Sequence, residues 1–98
     1  MGCSANYVDF KMDRQLADAA AGNYEACYEL GVVYSTGLHG VDMDLIQAHK
    51  WFNLAAVRGD ERAQACRAEV SEEMTAREIV EAQRQARAWL QMVSRQAA

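Results

Sequence analysis

Ala26-Cys27-Tyr28-Glu29-Leu30-Gly31-Val32-Val33-Tyr34, followed downstream by Ala48, Trp51-Phe52, Ala55-Ala56 and Gly59, is the stretch that decides the fold of this chain. Gly31 falls in the middle of a helical pattern, where glycine costs about 1 kcal/mol relative to alanine. A helix carries that cost when the missing side chain lets a neighbour approach. Leu30 and Tyr34 flank Gly31 on one face, and Trp51 and Phe52 on the next helix are the rings available to fill the space above it. The Trp51 indole is the expected occupant. Ala55 and Ala56 keep the two helices close. The loop between them, from Gly37 to Val41, needs residues free to take positive φ.

Helix signals extend outward from this pair. Asp13 is positioned to cap a first helix that ends at Gly22. Asn23 caps a second helix running to about Ser35, with Gly37 supplying the left-handed stop. Asp44 opens a third, and Gln47 completes a capping-box pattern with it. Arg58-Gly59 ends that helix with a cation followed by a stop. Asp60 caps a fourth helix to about Met74. Thr75 and Glu78 form the best capping box in the chain and start a fifth helix that lasts to about Val93. The apolar stripes have helical spacing: Leu45, Ala48, Phe52 and Ala55; Ala63, Cys66, Val70 and Met74; Ile79, Ala82, Ala86, Trp89 and Val93.

Composition agrees. The 98 residues contain no proline and are richest in alanine, the extremes of helix propensity. Strand formers never alternate with polar residues over a strand length. A net charge of −4, with arginines spread among glutamates, gives no basic patch for nucleic acid. No apolar stretch is long enough for a membrane span, and the start of the chain has no apolar signal core. Met1-Gly2 begins like a myristoylation site, but position 6 is Asn where Ser or Thr is wanted. Residues 1–12 read as a flexible leader. Cys3, Cys27 and Cys66 form no C-x-x-C pair and no even set, so Cys27 and Cys66 read as packing residues in a reducing cytoplasm.

The chain also repeats itself. Gly22-Asn23-Tyr24-Glu25-Ala26 recurs as Gly59-Asp60-Glu61-Arg62-Ala63, a shift of 37 residues, each copy following an alanine-rich helix end. A period of that length spanning two helices marks an α-solenoid. The expected fold is therefore all-α: a short α/α superhelix of about five helices over 13–98, with a full repeat at about 20–59, a partial one at 60–74 and a capping helix at 75–95.

These residues resemble the Sel-one-like repeat, a relative of the tetratricopeptide repeat. Ala26, Leu30, Gly31 and Tyr34 match its A-x-x-x-L-G-x-x-Y first helix. Gly37, Gly40-Val41 and Asp44 match its G…GV…D loop. Ala48, Trp51-Phe52, Ala55-Ala56 and Gly59 match its A-x-x-W-[YF]-x-x-A-A-x-x-G second helix. The following copy departs from the pattern: Arg67 stands in place of Leu30, Ala68 of Gly31, and Ser71 of Tyr34. The fifth helix therefore reads as a cap. So short an array implies marginal stability or self-association. Some cysteine-rich relatives join cysteines eight positions apart; here Ser35 follows Cys27 and Met74 follows Cys66 at that distance, so that variant is absent.

The resemblance implies a scaffold or adaptor in a bacterial cytoplasm, not an enzyme, that holds a peptide or helix of another protein in a concave groove. First helices line such a groove, which assigns it Glu25, Tyr28, Val32 and Ser35 and, one repeat later, Arg62, Ala65, Glu69 and Glu72. Two roles stay open for Tyr28, groove lining and packing on the first helix. The carboxylates have solvated helix surface as their plain alternative. The fifth-helix stripe, with Leu90 and Met92 beside it, would serve either a homodimer or packing on the fourth helix.

Other chemistry has little to carry it. His39, His49, Cys27 and Cys66 lack the close pairs of a zinc site, and His49 reads as a partly exposed packing residue. Asp42 and Asp44 beside His39 are the sole acid–base candidates, for a remote hydrolase reading. No catalytic, cofactor or metal residue is assigned.

Overall fold

The computed structural model describes the backbone of residues 2–97 and the side-chain surroundings of 11–96. The described residues form five helices and no strand: α1 (Gly2–Ala20), α2 (Tyr24–Thr36), α3 (Leu45–Ala56), α4 (Glu61–Ser71) and α5 (Ala76–Ala97), with a 3-10 turn at Leu38–Gly40. The chain is a short α/α superhelix. The Met1–Asn6 modification reading concerns side chains outside those described.

Local chemistry explains most boundaries. The Asn23 side chain accepts from the Glu25 and Ala26 N–H groups at 3.0 and 3.4 Å. At the other end of α2, Gly37 has φ +73° and its N–H donates to the Val33 carbonyl. The loop that follows also holds His39 at φ +61°, a conformation side chains seldom adopt. It closes when the Asp44 N–H donates to the Tyr34 carbonyl at 2.9 Å. Thr75 and Glu78 form the full reciprocal box, at 2.8 and 3.1 Å.

Four expectations change at the ends. α1 begins at Gly2, so residues 2–12 are helical and Asp13 lies inside the helix, exposed, and caps nothing. Asp44 does accept from the Gln47 N–H, but the Gln47 side chain turns away to donate to Gln85 at 2.9 Å, so only half a capping box forms. α4 stops at Ser71, short of Met74, in a run of tight turns through Met74. α5 continues past Val93 to Ala97.

α3 is the central rod: α2, α4 and α5 all pack on it, while α1 packs on α2. Ala48, His49, Trp51, Phe52, Leu54, Ala55 and Ala56 of α3 are all buried, so its buried surface wraps most of the helix. The Gly31 interlock exists, but Phe52 occupies it. A Cβ at Gly31 would stand 2.5 Å from the Phe52 ring carbons. The Trp51 indole instead meets Trp89 of α5, edge to face, with ring centroids 4.9 Å apart. α5 accordingly docks on α3, not on α4 as expected. Its expected stripe is the docked one, with Ala82 and Ala86 buried and Ile79, Trp89 and Val93 half-buried.

Side chains meet across the fold at nearly the repeat spacing. Glu25 meets Arg62, 37 positions on, and Gln47 meets Gln85, 38 positions on. Trp51 meets Trp89 at that same larger spacing. α4 and α5 both pack on α3, and α4 reaches α2 through the Arg62 side chain.

Candidate functional site

The residues assigned to the groove do not behave alike. Glu25, Tyr28 and Arg62 come together across the α2–α4 seam. The Arg62 guanidinium lies 4.1 Å from the Tyr28 ring centroid and donates to Glu25 Oε1 at 2.7 Å. It also donates to Asp60, from Nε to Oδ1 at 3.2 Å and from the same terminal nitrogen to Oδ2 at 2.7 Å. The Asp60 carboxylate is buried, and it also accepts from the Ala63 N–H at 3.1 Å as the α4 cap. Hydrogen bonds from Arg62 hold Asp60 below its ordinary range, against the opposing effect of burial. The same contacts, with Asp60 first and Glu25 second, raise Arg62. Bidentate pairing of this kind fixes orientation as well as charge.

Tyr28 is half-buried, and its ring packs on Phe52 at 5.9 Å between centroids. The ring therefore rests on α3 rather than on the first helix, with Arg62 over it. Next to it the Cys66 thiol is raised by burial and by the charge of Glu69, while the Tyr28 hydroxyl acts in the opposite direction. Cys27 is more deeply placed, and burial pushes its thiol up to about 11. Neither thiol is held in the electropositive, lowered state of a reactive cysteine.

Val32 is half-buried against the core. Ser35 is spent locally: its hydroxyl donates to the Val32 carbonyl at 3.1 Å. Glu69 and Glu72 are exposed, and Glu72 stands at the C-terminal cap of α4. Among the described residues neither carboxylate pairs with α2. The expected groove thus has an ordered end at Glu25–Tyr28–Arg62 and an open acidic end.

The structure also corrects His49. It is 3% exposed, and its Nδ1 has no partner among the described residues. Burial, then the positive charge of Arg67, hold the imidazole below its ordinary 6.5. Arg67 itself donates to the Asn53 side chain, tying α4 to α3. His39 and Asp42 are exposed in the loop, and Asp44 is engaged as a cap. Among the described residues no three His, Cys, Asp or Glu side chains converge as a metal site would require, and no helix is long and apolar enough to cross a membrane.

Two arrangements escaped the reading of the sequence. Asp60 was legible as a cap, but not as the anchor of Arg62. Applying the 37-residue shift to charges as well as to apolar positions pairs Glu25 with Arg62 and would have exposed the seam. Lys50 carried no such signal. It lies half-buried over Trp51 and Trp89, its ammonium 4.6 and 5.5 Å from the two ring centroids. No family model, curated protein or solved structure matches this chain.

Proposed function

We propose that this chain is a protein-binding scaffold of the Sel-one-like repeat type, which takes a peptide or helix of its partner along the α2–α4 face. The observation that carries the reading is the coincidence of two periods. The sequence repeats at 37 residues, and side chains of α4 and α5 meet those of α2 and α3 at spacings of 37 and 38. A repeat that stacks on itself generates an extended face, and such faces take peptides and helices by presenting fixed side chains. Arg62, held by Asp60 and Glu25 over Tyr28, supplies a prearranged patch, which reduces the ordering a partner must impose. Glu69 and Glu72 complete the face with negative charge, so the partner segment carries basic residues.

A non-enzymatic role in a bacterial cytoplasm is part of the same proposal. Free thiols at Cys27 and Cys66 support the setting. Crosslinking and mass spectrometry in the native cell tests it, comparing the natural chain with Tyr28→Ala. Loss of partner crosslinks with helicity intact is the expected result. Retention of all crosslinks removes this face from consideration.

A second reading, a structural homo-oligomer through α5, draws on the exposure of Leu90 and Met92, 38% and 41% respectively. Sedimentation across a range of concentrations separates the two: a monomer throughout excludes the oligomer.

A further inference from the structure

The α3–α5 layer carries a second surface, and none of its lining residues belongs to α2 or α4. A shallow groove there is lined by Lys50 of α3 and by Arg84, Gln85, Ala88, Trp89 and Met92 of α5. Its α5 residues span about 12 Å of one helix face, at 1.5 Å per residue. That is the reach of about four residues of extended peptide.

Lys50 is the unusual member. An ammonium has three donors and no acceptor. Here it is half-buried against two indole rings, yet among the described residues no oxygen accepts from it and no carboxylate lies within 4.0 Å. Ring faces replace part of its hydration but leave its donors unused. Arg84 differs, since Glu81 holds it through two contacts, at 2.9 and 2.6 Å. The groove lining contains no carboxylate at all. Beside the cation the surface turns apolar: Trp89 is half-buried, Ala88 is exposed and Met92 is 41% exposed.

We propose that this groove docks an acidic peptide segment of a partner protein, a side-chain carboxylate pairing with Lys50 while the adjoining apolar side chain lies on Trp89 and Met92. The charge of the lining selects the acid. Desolvation by the two indoles strengthens the pairing relative to an exposed lysine, because charge–charge attraction grows as water is excluded. The apolar rim requires a leucine-like neighbour two positions along an extended strand, where side chains return to the same face. This site is independent of the α2–α4 face and opposite to it in charge preference.

The test is titration of the whole chain with a capped hexapeptide that carries one glutamate and, two positions along, one leucine among serines, followed by tryptophan emission, against the same peptide with glutamine for glutamate. Capping removes terminal carboxylates. The expected result is about tenfold tighter binding of the glutamate peptide, the equivalent of about 1.4 kcal/mol, with the margin shrinking as salt is added. Lys50→Met abolishes the preference and Lys50→Arg keeps most of it. Equal binding of the two peptides, no binding at millimolar peptide, or a preference that survives Lys50→Met overturns the proposal. Two-dimensional NMR of the unsubstituted chain guards against a variant that fails to fold. Peptide-induced shifts at the Trp89 indole and the Met92 methyl support the site, and shifts centred on Tyr28 and Arg62 overturn it. Glutamate-independent self-association in the same titration assigns the groove to a second copy, and that also overturns it.

Discussion

α4 and α5 both pack on α3, and two side-chain seams of opposite chemistry join helices one repeat apart. Between α2 and α4 the contact is polar and half in water: Arg62 and Glu25 are each 52% exposed. Between α3 and α5 it is aromatic, Trp51 against Trp89, with the fully buried Ala82 and Ala86 on the same docked face of α5. Both seams obey nearly the same spacing. Register and adhesion are thus assigned to different layers. Directional pairs at the polar seam orient α4 relative to α2, while buried apolar surface on α3, which holds both α4 and α5, supplies the bulk of the attraction.

Breaking the aromatic seam has the largest expected effect. Trp89→Ala removes the partner of Trp51 and should cost about 2–3 kcal/mol, at or below the lower edge of the range for large buried aromatic truncations because the ring is half-buried. Thermal unfolding followed by circular dichroism should show a midpoint more than about 10 °C lower. A shift of under about 2 °C would mean that α5 contributes little to the fold.

The joint inside the first pair gives a reference for both seams. Gly31→Ala adds a methyl against the buried Phe52 ring. Overpacking costs about 1–3 kcal/mol, partly offset by about 1 kcal/mol of helix propensity. Urea unfolding should show a net loss of about 1 kcal/mol. A gain in stability would show that Phe52 moves aside freely.

Acid sharpens the comparison at α3 and α4. The His49 pKa is lower in the folded chain than its unfolded value of 6.5, chiefly through burial. The unfolded chain therefore binds the proton more readily, and stability is lost as the pH falls below 6.5 toward the folded value. His49→Leu should flatten that part of the stability profile between neutral pH and the range where carboxylates begin to titrate. Identical profiles for the two proteins would assign the acid response to other groups.

The smallest effect belongs to the polar seam. Glu25→Gln leaves Arg62 on Asp60, and exposed ion pairs add little to stability. The midpoint should not move measurably. Its signature is local: faster amide exchange at the start of α4 without change elsewhere. A midpoint falling as far as that of Trp89→Ala would erase the distinction between the seams.

Helix content and most helix boundaries were legible because short-range chemistry sets them. Asn23, Asp44, Asp60 and Thr75 all act as caps where their positions predicted. The start of α1 was not legible, since Asp13 looks like a cap but sits within a longer helix. Assigning rings to partners failed for a different reason. α3 is enclosed by three helices, so both Trp51 and Phe52 are buried, and adjacent positions on a helix differ by about 100°. A single stripe cannot say which ring faces which neighbour when nearly every side is inside. The docking of α5 on α3 followed from the same ambiguity. At the candidate site, Glu25 and Arg62 were found because they recur at the repeat distance. The pocket of Lys50 depends on two rings from helices 38 positions apart, and no local pattern announces it.

The Gly31–Phe52 interlock binds two positions into one volume. Neither can change size alone without a void or a clash, yet a methyl at 31 accompanied by Phe52→Leu keeps the sum nearly constant. Substitutions there should be strongly non-additive, each harmful singly and mild together. Descendants of this chain would be expected to drift at these two sites in concert, which makes their covariation a fingerprint by which distant kin of the fold can be recognised when overall similarity has faded.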